Sequence, residues 1–370
     1  GGGGGGGGGG GSGSSDSAPA SPQDPGLGQG PVTFKAQDLA GTLRLQALGL
    51  TPDQGHQHHG TLSFASSGTL LSGNWATDQQ PEAALASGTL SLTTTGLLSG
   101  QWQTAEGATL SVISGAMFKG KDALLLNLTT LGPESLLCVG VKAPSGGELS
   151  PAALNQSWTV FELFSSGNES GFRVGELVCQ DAALTGTLTS ESGASLALSS
   201  GTLALAGDGT LSGSWSEAGA GLTAWTDGCL SSRGDLFVVS GHTGLPAPAL
   251  AIGIRKAASS APSFLAGTWN FGTVSYGQSG RHGETGSLVL SSSGSVTGGT
   301  WNSEDGTSRV ITSGTYTSPS PGRLSGTWST GASYNFLATD GVLRASGDLT
   351  VMLITQEAPV ASLLVGRLAP

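Results

Sequence analysis

Short alternations of apolar and polar residues, bounded by glycine-rich turns, run along most of this chain. In one Leu-Ser-Gly-Gln-Trp stretch, Leu98, Gly100 and Trp102 fall on one face of an extended strand, while Ser99 and Gln101 fall on the other. The Ser-Gly, Asp-Gly and Pro-Gly pairs between such stretches accept the positive φ of tight turns. Since no window has the 3.6-residue apolar period of a helix, the pattern predicts an all-β fold of short antiparallel strands.

The alternation repeats with a period of 113 residues. Trp102, Trp215 and Trp328 each end a Leu-Ser-Gly-x-Trp stretch at that interval. The positions kept in all three copies also include three glycines and three aspartates: Gly100, Gly213, Gly326, Asp122, Asp235 and Asp348. A fixed period of this length indicates one structural unit used three times. We therefore predict a flexible leader and three tandem β units, at 1–31, 32–144, 145–257 and 258–370.

Each unit contains about eight strand candidates that follow one another as an antiparallel meander. Eight such strands close as an up-and-down barrel or fold over as a sandwich. Closure would remove the exposed edges of a sheet that is rich in Gly and poor in charge. The short connections at 143–152 and 257–262 allow the units to be strung out or clustered around a three-fold axis. The sequence decides neither between barrel and sandwich nor between strung-out and clustered units.

The repeated Trp is predicted to anchor the core of each unit. Leu, Gly and Trp share one strand face, and the missing side chain of Gly would leave backbone for the indole ring to cover. A second Trp stands 27 residues earlier in the first and third units, at Trp75 and Trp301, whereas the second unit has Leu188. Core packing tolerates that exchange, but a ligand platform built on the second Trp would be missing from one unit. An aromatic ligand platform is the alternative interpretation.

The repeated aspartates each precede an apolar strand, as in Asp235-Leu-Phe-Val-Val. An Asp in a turn accepts hydrogen bonds from nearby backbone N–H groups, and this would explain all three copies. A Ca²⁺ site is disfavoured because the first and third units offer few further carboxylates close by.

Three histidines lie close together in the first unit, in the sequence Gly-His-Gln-His-His-Gly. His56, His58 and His59 are candidate ligands for Zn²⁺, Cu²⁺ or Ni²⁺, because imidazole suits all three metals. A solvated polar loop is the alternative. Counted by the period, the third unit has His282 at the place of His56, and the second has Glu169. No cofactor is predicted.

The remaining reactive residues form no catalytic group. Cys138, Cys179 and Cys229 occupy unrelated positions of the repeat and lack the spacing of a metal site. Cys179 and Cys229 share the second unit and would pair if their strands were neighbours; buried free thiols are the alternative. No nucleophile elbow or phosphate loop is present, and no Ser, His and Asp grouping stands out. We therefore predict a protein that is not an enzyme.

Composition narrows the class of protein further. The chain has 14 Lys and Arg against 25 Asp and Glu, a formal net charge of −11, and only 11% charged residues. The few basic residues are scattered along the sequence, so nucleic acid is not an expected partner. No run reaches the length of a membrane-spanning helix. A mildly acidic, hydroxyl-rich chain is typical of a soluble protein outside the cytosol.

The leader begins with a run of Gly at 1–11 and continues with Ser, Ala and Pro, a composition that forms no core. It resembles the start of mature bacterial lipoproteins, in which a lipidated Cys precedes a Gly- or Ser-rich segment. The resemblance implies a processed chain, a lipid anchor before Gly1, and a location in the periplasm or on the outer face of the outer membrane. An expression linker or a natural low-complexity tail is the alternative.

The third unit resembles the avidin-like barrels. The resemblance rests on Leu-Ala-Gly-Thr-Trp ending at Trp269, on the Gly-Thr-Trp ending at Trp301, and on Leu-Leu-Val-Gly ending at Gly366. It implies an up-and-down barrel, but the biotin-contacting residues of that family cannot be placed on this chain. Tandem Gly-Thr-Trp units also resemble secreted or surface proteins of bacteria.

These features lead us to expect a non-enzymatic cell-surface or periplasmic protein with a structural, assembly or adhesive role. Its partners would be other surface proteins, further copies of itself or a glycan, and its contact with the membrane would be the inferred N-terminal lipid. The alternative is a protein that binds a small ligand or glycan inside a barrel. A cavity with convergent polar groups in any one unit would favour that alternative.

Overall fold

A computed structural model describes residues 1–2, 31–50, 54–131, 134–145, 149–165, 170–218, 221–244, 247–258, 260–276, 282–331, 334–356 and 361–369. The predicted flexible leader falls almost entirely on 3–30, outside the described residues. The structure consists of three antiparallel β-barrels in tandem, which confirms the all-β prediction and decides between barrel and sandwich. Within the described residues, no helix has the length and apolar character needed to cross a membrane.

Barrel 1 is a closed meander of eight strands, in which β1 pairs with both β2 and β8. Its strands are β1 (Gly41–Leu50), β2 (Gly55–Phe64), β3 (Leu70–Thr77), β4 (Ala83–Leu92), β5 (Leu97–Thr104), β6 (Thr109–Met117), β7 (Ala123–Thr130) and β8 (Ser135–Lys142).

Barrel 2 repeats this topology and closes through pairing of β9 with β10 and β16. Its strands are β9 (Ser157–Ser165), β10 (Ser170–Gln180), β11 (Ala183–Ser190), β12 (Ser195–Leu205), β13 (Leu211–Glu217), β14 (Leu222–Leu230), β15 (Leu236–His242) and β16 (Pro248–Ile254).

Barrel 3 closes through pairing of β17 with β18 and β25. Its strands are β17 (Gly267–Tyr276), β18 (His282–Leu290), β19 (Ser295–Ser303), β20 (Ser308–Val310), β21 (Ser313–Thr317), β22 (Arg323–Ser329), β23 (Asn335–Leu343), β24 (Leu349–Gln356) and β25 (Ala361–Leu368). Because β20 and β21 both pair with β19, they are two halves of one broken strand, and the barrel has eight strand positions.

A single helical turn plugs one end of each barrel. The three turns are Ala36–Leu39, Pro151–Leu154 and Pro262–Leu265, each just before the first strand of its barrel. Their last residues, Leu39, Leu154 and Leu265, are buried in the three separate barrel cores. Each barrel therefore has a plugged end and an opposite end, which we call its mouth.

The three barrels pack side by side around an approximate three-fold axis. In β7, Leu124 and Leu126 belong to the interior of barrel 1, whereas Ala123 and Leu125 belong to an apolar cluster shared by all three barrels. Because both faces of such strands are buried, their sequences read as continuous apolar runs. The mouths lie on one side: a Cβ on Gly55, at the mouth of barrel 1, would come within 2.4 Å of the carbonyl oxygen of Ser165, at the mouth of barrel 2.

The repeated aspartates meet at the plugged ends, around the buried guanidinium of Arg344. Arg344 Nε donates to Asp235 Oδ1 at 2.9 Å, and Nη2 donates to Asp122 Oδ2. Asp348 Oδ1 lies 3.6 Å from Nη1, and its Oδ2 accepts from the backbone N–H of Gly120 at 2.9 Å. The explanation by local turn bonding is therefore incomplete, because the aspartates bind groups of other barrels. Spacing along the chain could not reveal the contacts between barrels, since Asp122 and Asp235 lie more than 100 residues from Arg344.

The repeated Trp residues are buried in the barrel cores, but the glycine beside each has a different role from the predicted one. A Cβ on Gly100 would lie 2.1 Å from the carbonyl oxygen of Thr89 on the next strand, so this glycine admits neighbouring backbone rather than the Trp ring. The ring-over-glycine contact occurs instead between Trp75 and Gly60, where a Cβ would lie 2.4 Å from the ring. Gly213 and Gly326 face the carbonyls of Thr202 and Thr315 in the way that Gly100 faces Thr89.

The 113-residue period slips in the first two strands of barrel 2. Val141 pairs with Arg44, whereas Ile254, 113 residues later, pairs with Thr159, which is 115 residues after Arg44. The structural counterpart of His56 in barrel 2 is therefore Gly171 rather than Glu169, which lies outside the described residues. All three cysteines are buried and free, so no disulfide joins Cys179 to Cys229.

Candidate functional site

The histidine-rich strand β2 begins at the mouth of barrel 1, and its alternation divides the three histidines between two faces. His56 and His58 line the interior of the mouth. Gln57 and His59 point outward to barrel 2, where Gln57 Nε2 donates to Ser240 Oγ at 2.9 Å and His59 Nε2 lies 3.8 Å from Asp227 Oδ2. Because adjacent strand residues face opposite sides, the three imidazoles do not share a site.

His58 sits in a chain of hydrogen bonds that fixes its ring. Trp75 Nε1 donates to His58 Nδ1 at 3.2 Å, so Nδ1 is the accepting nitrogen. The hydrogen of the neutral ring is then on Nε2, which donates to Glu134 Oε1 at 2.8 Å. Glu134 stands in the connection between β7 and β8 and is about one-eighth exposed. The chain therefore presents an oriented carboxylate to the mouth.

A second histidine–carboxylate pair lies at the rim. His56 Nδ1 and Asp78 Oδ1 are 3.3 Å apart. The hydrogen bond that His56 donates to Asp78 raises the pKa of His56 above its ordinary value, against the opposing effect of burial. Burial likewise opposes ionisation of Asp78, but the hydrogen bonds from His56 and Gln79 outweigh it and lower the pKa of this carboxyl. The rim therefore carries an ionised carboxylate whose partner histidine accepts a proton more readily than free histidine.

These groups surround an open cavity of about 260 Å³. Trp75 and Leu110 supply apolar surface, and the remaining lining is mostly polar: His56, His58, Thr77, Gln79, Gln80, Thr104, Thr109, Thr130 and Glu134, with Pro81, Ala83 and Ala108. A wider depression of about 510 Å³ on barrel 3 has no ionisable residue in its lining. The mouth of barrel 1 therefore combines volume with convergent polar groups, and we take it as the candidate site.

The other two barrels fill the matching position differently. Gly60, Gly175 and Gly286 pair with Trp75, Leu188 and Trp301 respectively. The inward residue two places before each glycine is His58 in barrel 1, Arg173 in barrel 2 and Glu284 in barrel 3.

Arg173 occupies the interior of barrel 2 and donates to the buried Glu162 at 2.8 Å. The same barrel lacks the second Trp: the residue opposite Gly175 is the smaller Leu188. In barrel 3 the interior retains a cavity of only about 30 Å³, lined almost entirely by apolar residues. The open polar mouth is therefore a property of barrel 1 rather than of the repeat.

Sequence reasoning selected His56 and His58 and missed their carboxylate partners. Glu134 follows His58 by 76 residues, and no spacing rule joins them. Asp78 lies in the turn after β3, which antiparallel pairing brings back beside the start of β2. Within the described part of the chain, no group of three or more His, Cys, Asp or Glu is placed to hold a metal ion. The side chain of His282 lies outside the described residues.

No family model and no curated protein matches this chain. Among solved structures, it is similar to transferrin binding protein B from Neisseria meningitidis (10% identity, 90% of this chain and 77% of that chain, TM-score 0.28). It is also similar to a transferrin binding protein B mutant from Haemophilus parasuis (7% identity, 92% of this chain and 76% of that chain, TM-score 0.26). A third similar structure is HpuA from Kingella denitrificans in complex with human haemoglobin (11% identity, 61% of this chain and 90% of that chain, TM-score 0.27). TM-scores this low do not support an argument about the function of this chain.

Proposed function

We propose that this protein is a non-enzymatic binding protein of the bacterial cell surface or periplasm, and that the mouth of barrel 1 binds one sugar ring of a glycan. The observation that carries the proposal is the open cavity of about 260 Å³ that two histidines, a carboxylate, two glutamines and a Trp line together. The nearly filled interior of barrel 3 supplies the contrast within the same chain.

The chemistry of the cavity suits a neutral carbohydrate. A sugar ring has an apolar C–H face and a rim of hydroxyls, and an aromatic ring beside hydrogen-bonding groups matches both. Trp75 offers the aromatic surface, Glu134 accepts from hydroxyls, and Gln79 and Gln80 both donate and accept. Pockets for drug-sized ligands hold about 300–1,000 Å³, so the smaller cavity favours a single ring over a longer segment.

The position of the mouth supports a role at a surface. The described chain enters barrel 1 at its plugged end, where the backbone N–H of Phe34 donates to the carbonyl of Thr94 at 3.0 Å. The mouths lie on the opposite side of the molecule. A body held by its N-terminal segment would therefore direct the mouths away from the point of attachment.

A glycan array followed by titration calorimetry tests the proposal. We expect the full chain to bind a subset of glycans, and Glu134→Gln to weaken that binding about tenfold or more, because hydrogen bonds to charged groups contribute roughly 1.5–3 kcal/mol. Gln80→Ala, at the rim, should weaken it less. Glu106→Gln is the matched control, since Glu106 is exposed in another mouth turn of the same barrel and does not line the cavity.

Two results would contradict the glycan site: no glycan bound by the full chain, or binding that Glu134→Gln and Glu106→Gln reduce equally. In either case the assembly role that the sequence led us to expect becomes the function to test, by measuring the oligomeric state of the purified chain.

A further inference from the structure

The charges of the connecting segments differ between the two ends of the molecule. At the mouths, the described segments between strands carry seven acidic residues and no Lys or Arg. They are Asp78, Glu82, Glu106, Glu134, Glu191, Glu304 and Asp305. The mouth side is therefore acidic as far as the structure describes it.

The plugged ends carry more basic than acidic residues: their described segments outside strands hold six Asp, namely Asp38, Asp122, Asp181, Asp208, Asp235 and Asp348. All seven Lys and Arg of the described segments outside strands lie there: Lys35, Lys119, Lys121, Arg233, Arg255, Lys256 and Arg344. Lys142, Arg323 and Arg367 lie in strands at the same end, in the first, last or next-to-last position. We call the surface formed by the plugged ends the basic face.

Five of the six Asp at this end have a cation close by. Asp122, Asp235 and Asp348 are buried around Arg344. Asp38 pairs with Lys121 at 2.8 Å, and Asp208 pairs with Arg44 at 2.7 Å. Since ten Lys and Arg face these six Asp, the described part of the plugged ends has a net positive charge.

Three cations of the basic face are well placed to contact a partner. Lys35 and Arg233 are exposed, and Lys119 is partly exposed. Within the described residues, the side-chain nitrogens of Lys35 and Lys119 have no carboxylate within 4.0 Å, and Arg233 approaches Asp122 only to 3.9 Å. An exposed cation without a close counter-ion keeps its attraction for an external anion.

The N-terminal segment joins the body on this same face. Lys121 Nζ donates to the carbonyl of Thr33 at 3.2 Å, and Phe34 is buried beneath Lys121 and Arg367. Any anchor carried by the segment before residue 31 would hold the basic face, rather than the mouths, towards its support.

We infer that the basic face docks onto an anionic lipid surface, with phosphate headgroups against Lys35, Lys119 and Arg233. Lys and Arg near an anionic bilayer are attracted additively, and acidic groups are repelled. The attraction fixes orientation as well as binding, because the acidic mouths are then directed outward. This goes beyond the glycan site, which lies at the opposite end, so the two proposals fail independently.

Vesicle co-sedimentation of the full, unlipidated chain tests the inference. Vesicles of phosphatidylcholine are compared with vesicles of phosphatidylcholine and phosphatidylglycerol, at low and high salt. We expect binding only to the anionic vesicles and only at low salt, because salt screens exposed charges. Lys35→Gln/Lys119→Gln/Arg233→Gln should reduce the bound fraction about tenfold or more. Circular dichroism checks that this variant is folded.

The matched comparison is Arg233→Gln against Arg309→Gln, since Arg309 lies in β20 near the mouth of barrel 3. Both remove one Arg and leave the same net charge, and only Arg233→Gln should weaken vesicle binding. Equal weakening would overturn the orientation. Binding to neutral vesicles, or no binding to anionic ones at low salt, would overturn the docking surface. Competition by inorganic phosphate beyond that of NaCl at equal ionic strength would indicate a discrete phosphate site instead.

Discussion

Replacing Arg344 by Met removes the cation that lies buried among three carboxylates at the junction of the barrels. Arg344 is fully buried, and Asp122, Asp235 and Asp348 are each 5% exposed or less. Its guanidinium donates to Asp235 at 2.6 and 2.9 Å and to Asp122 through both terminal nitrogens. Removing one partner of a buried ion pair costs roughly 3–5 kcal/mol, because it leaves charge buried without compensation. We expect a loss of that size in the free energy of unfolding.

The pH dependence distinguishes this cause from simple loss of packing. Burial opposes ionisation of Asp122, but the charge of Arg344 outweighs it and lowers the pKa of this carboxyl. A lowered carboxyl pKa stabilises the fold above the unfolded value of about 3.9, and that contribution is lost as pH falls through the folded pKa. Without Arg344 the burial effect dominates, so protonation should stabilise Arg344→Met. The variant should approach the wild type in stability as pH falls.

Urea unfolding followed by Trp fluorescence and by circular dichroism provides the assay, with coincident curves required before a free energy is derived. Arg233→Met is the control, because Arg233 is partly exposed at 3.9 Å from Asp122 and should change stability by about 1 kcal/mol or less. Replacing all three aspartates by Asn in the Arg344→Met variant should restore much of the lost free energy of unfolding. Equal effects of the two Arg variants, or no recovery at lower pH, would refute the reasoning.

Three further predictions concern the other parts of the chain. Burial raises the pKa of Glu162 to about 7, against the lowering effect of Arg173. The unfolded chain therefore loses this proton first as pH rises, and the free energy of unfolding should decline between about pH 4.5 and 7. Glu162→Gln should flatten that decline, measured by urea unfolding at each pH. Deleting 1–31 should leave the melting temperature unchanged and reduce membrane attachment to the salt-sensitive binding of the basic face, whereas deleting 1–40 should lower the melting temperature, since Phe34 is buried. Trp102→Ala should cost about 3–5 kcal/mol of unfolding free energy, measured in urea.

The fold was largely predictable because its signals are local. Period-two alternation and Gly turns predict strands, and the 113-residue repeat predicts three units, because these depend on neighbouring residues and on a fixed spacing. The arrangement of the barrels also left a trace. The apolar run from Ala123 to Leu126 is continuous rather than alternating, as expected of a strand buried on both faces. Such runs point to packing of barrel against barrel, but not to the axis of that packing.

The candidate site was only half predictable. His56 and His58 were visible as a cluster, but period two alone separates them from His59. Their partners Asp78 and Glu134 depend on pairing between distant strands, and nothing along the chain connects them. The two-residue slip in barrel 2 also misled the comparison of units. Two extra residues before β9 shift β9 and β10, and a β10–β11 hairpin that is two residues shorter brings the later strands and the repeated Trp back into step.

A three-fold centre with one guanidinium is a feature that three separate, identical chains could not build. Phe118, Ser231 and Arg344 occupy the same place in the three units. The backbone N–H of each donates to the carbonyl of the residue five positions later, at the start of the next strand. Identical chains would bring three Arg, or none, to meet three Asp. Covalent fusion lets each copy take a different part at the shared centre, and the copies have thereby ceased to be interchangeable. Swapping or duplicating one barrel should disrupt the assembly even where its own strands fold correctly.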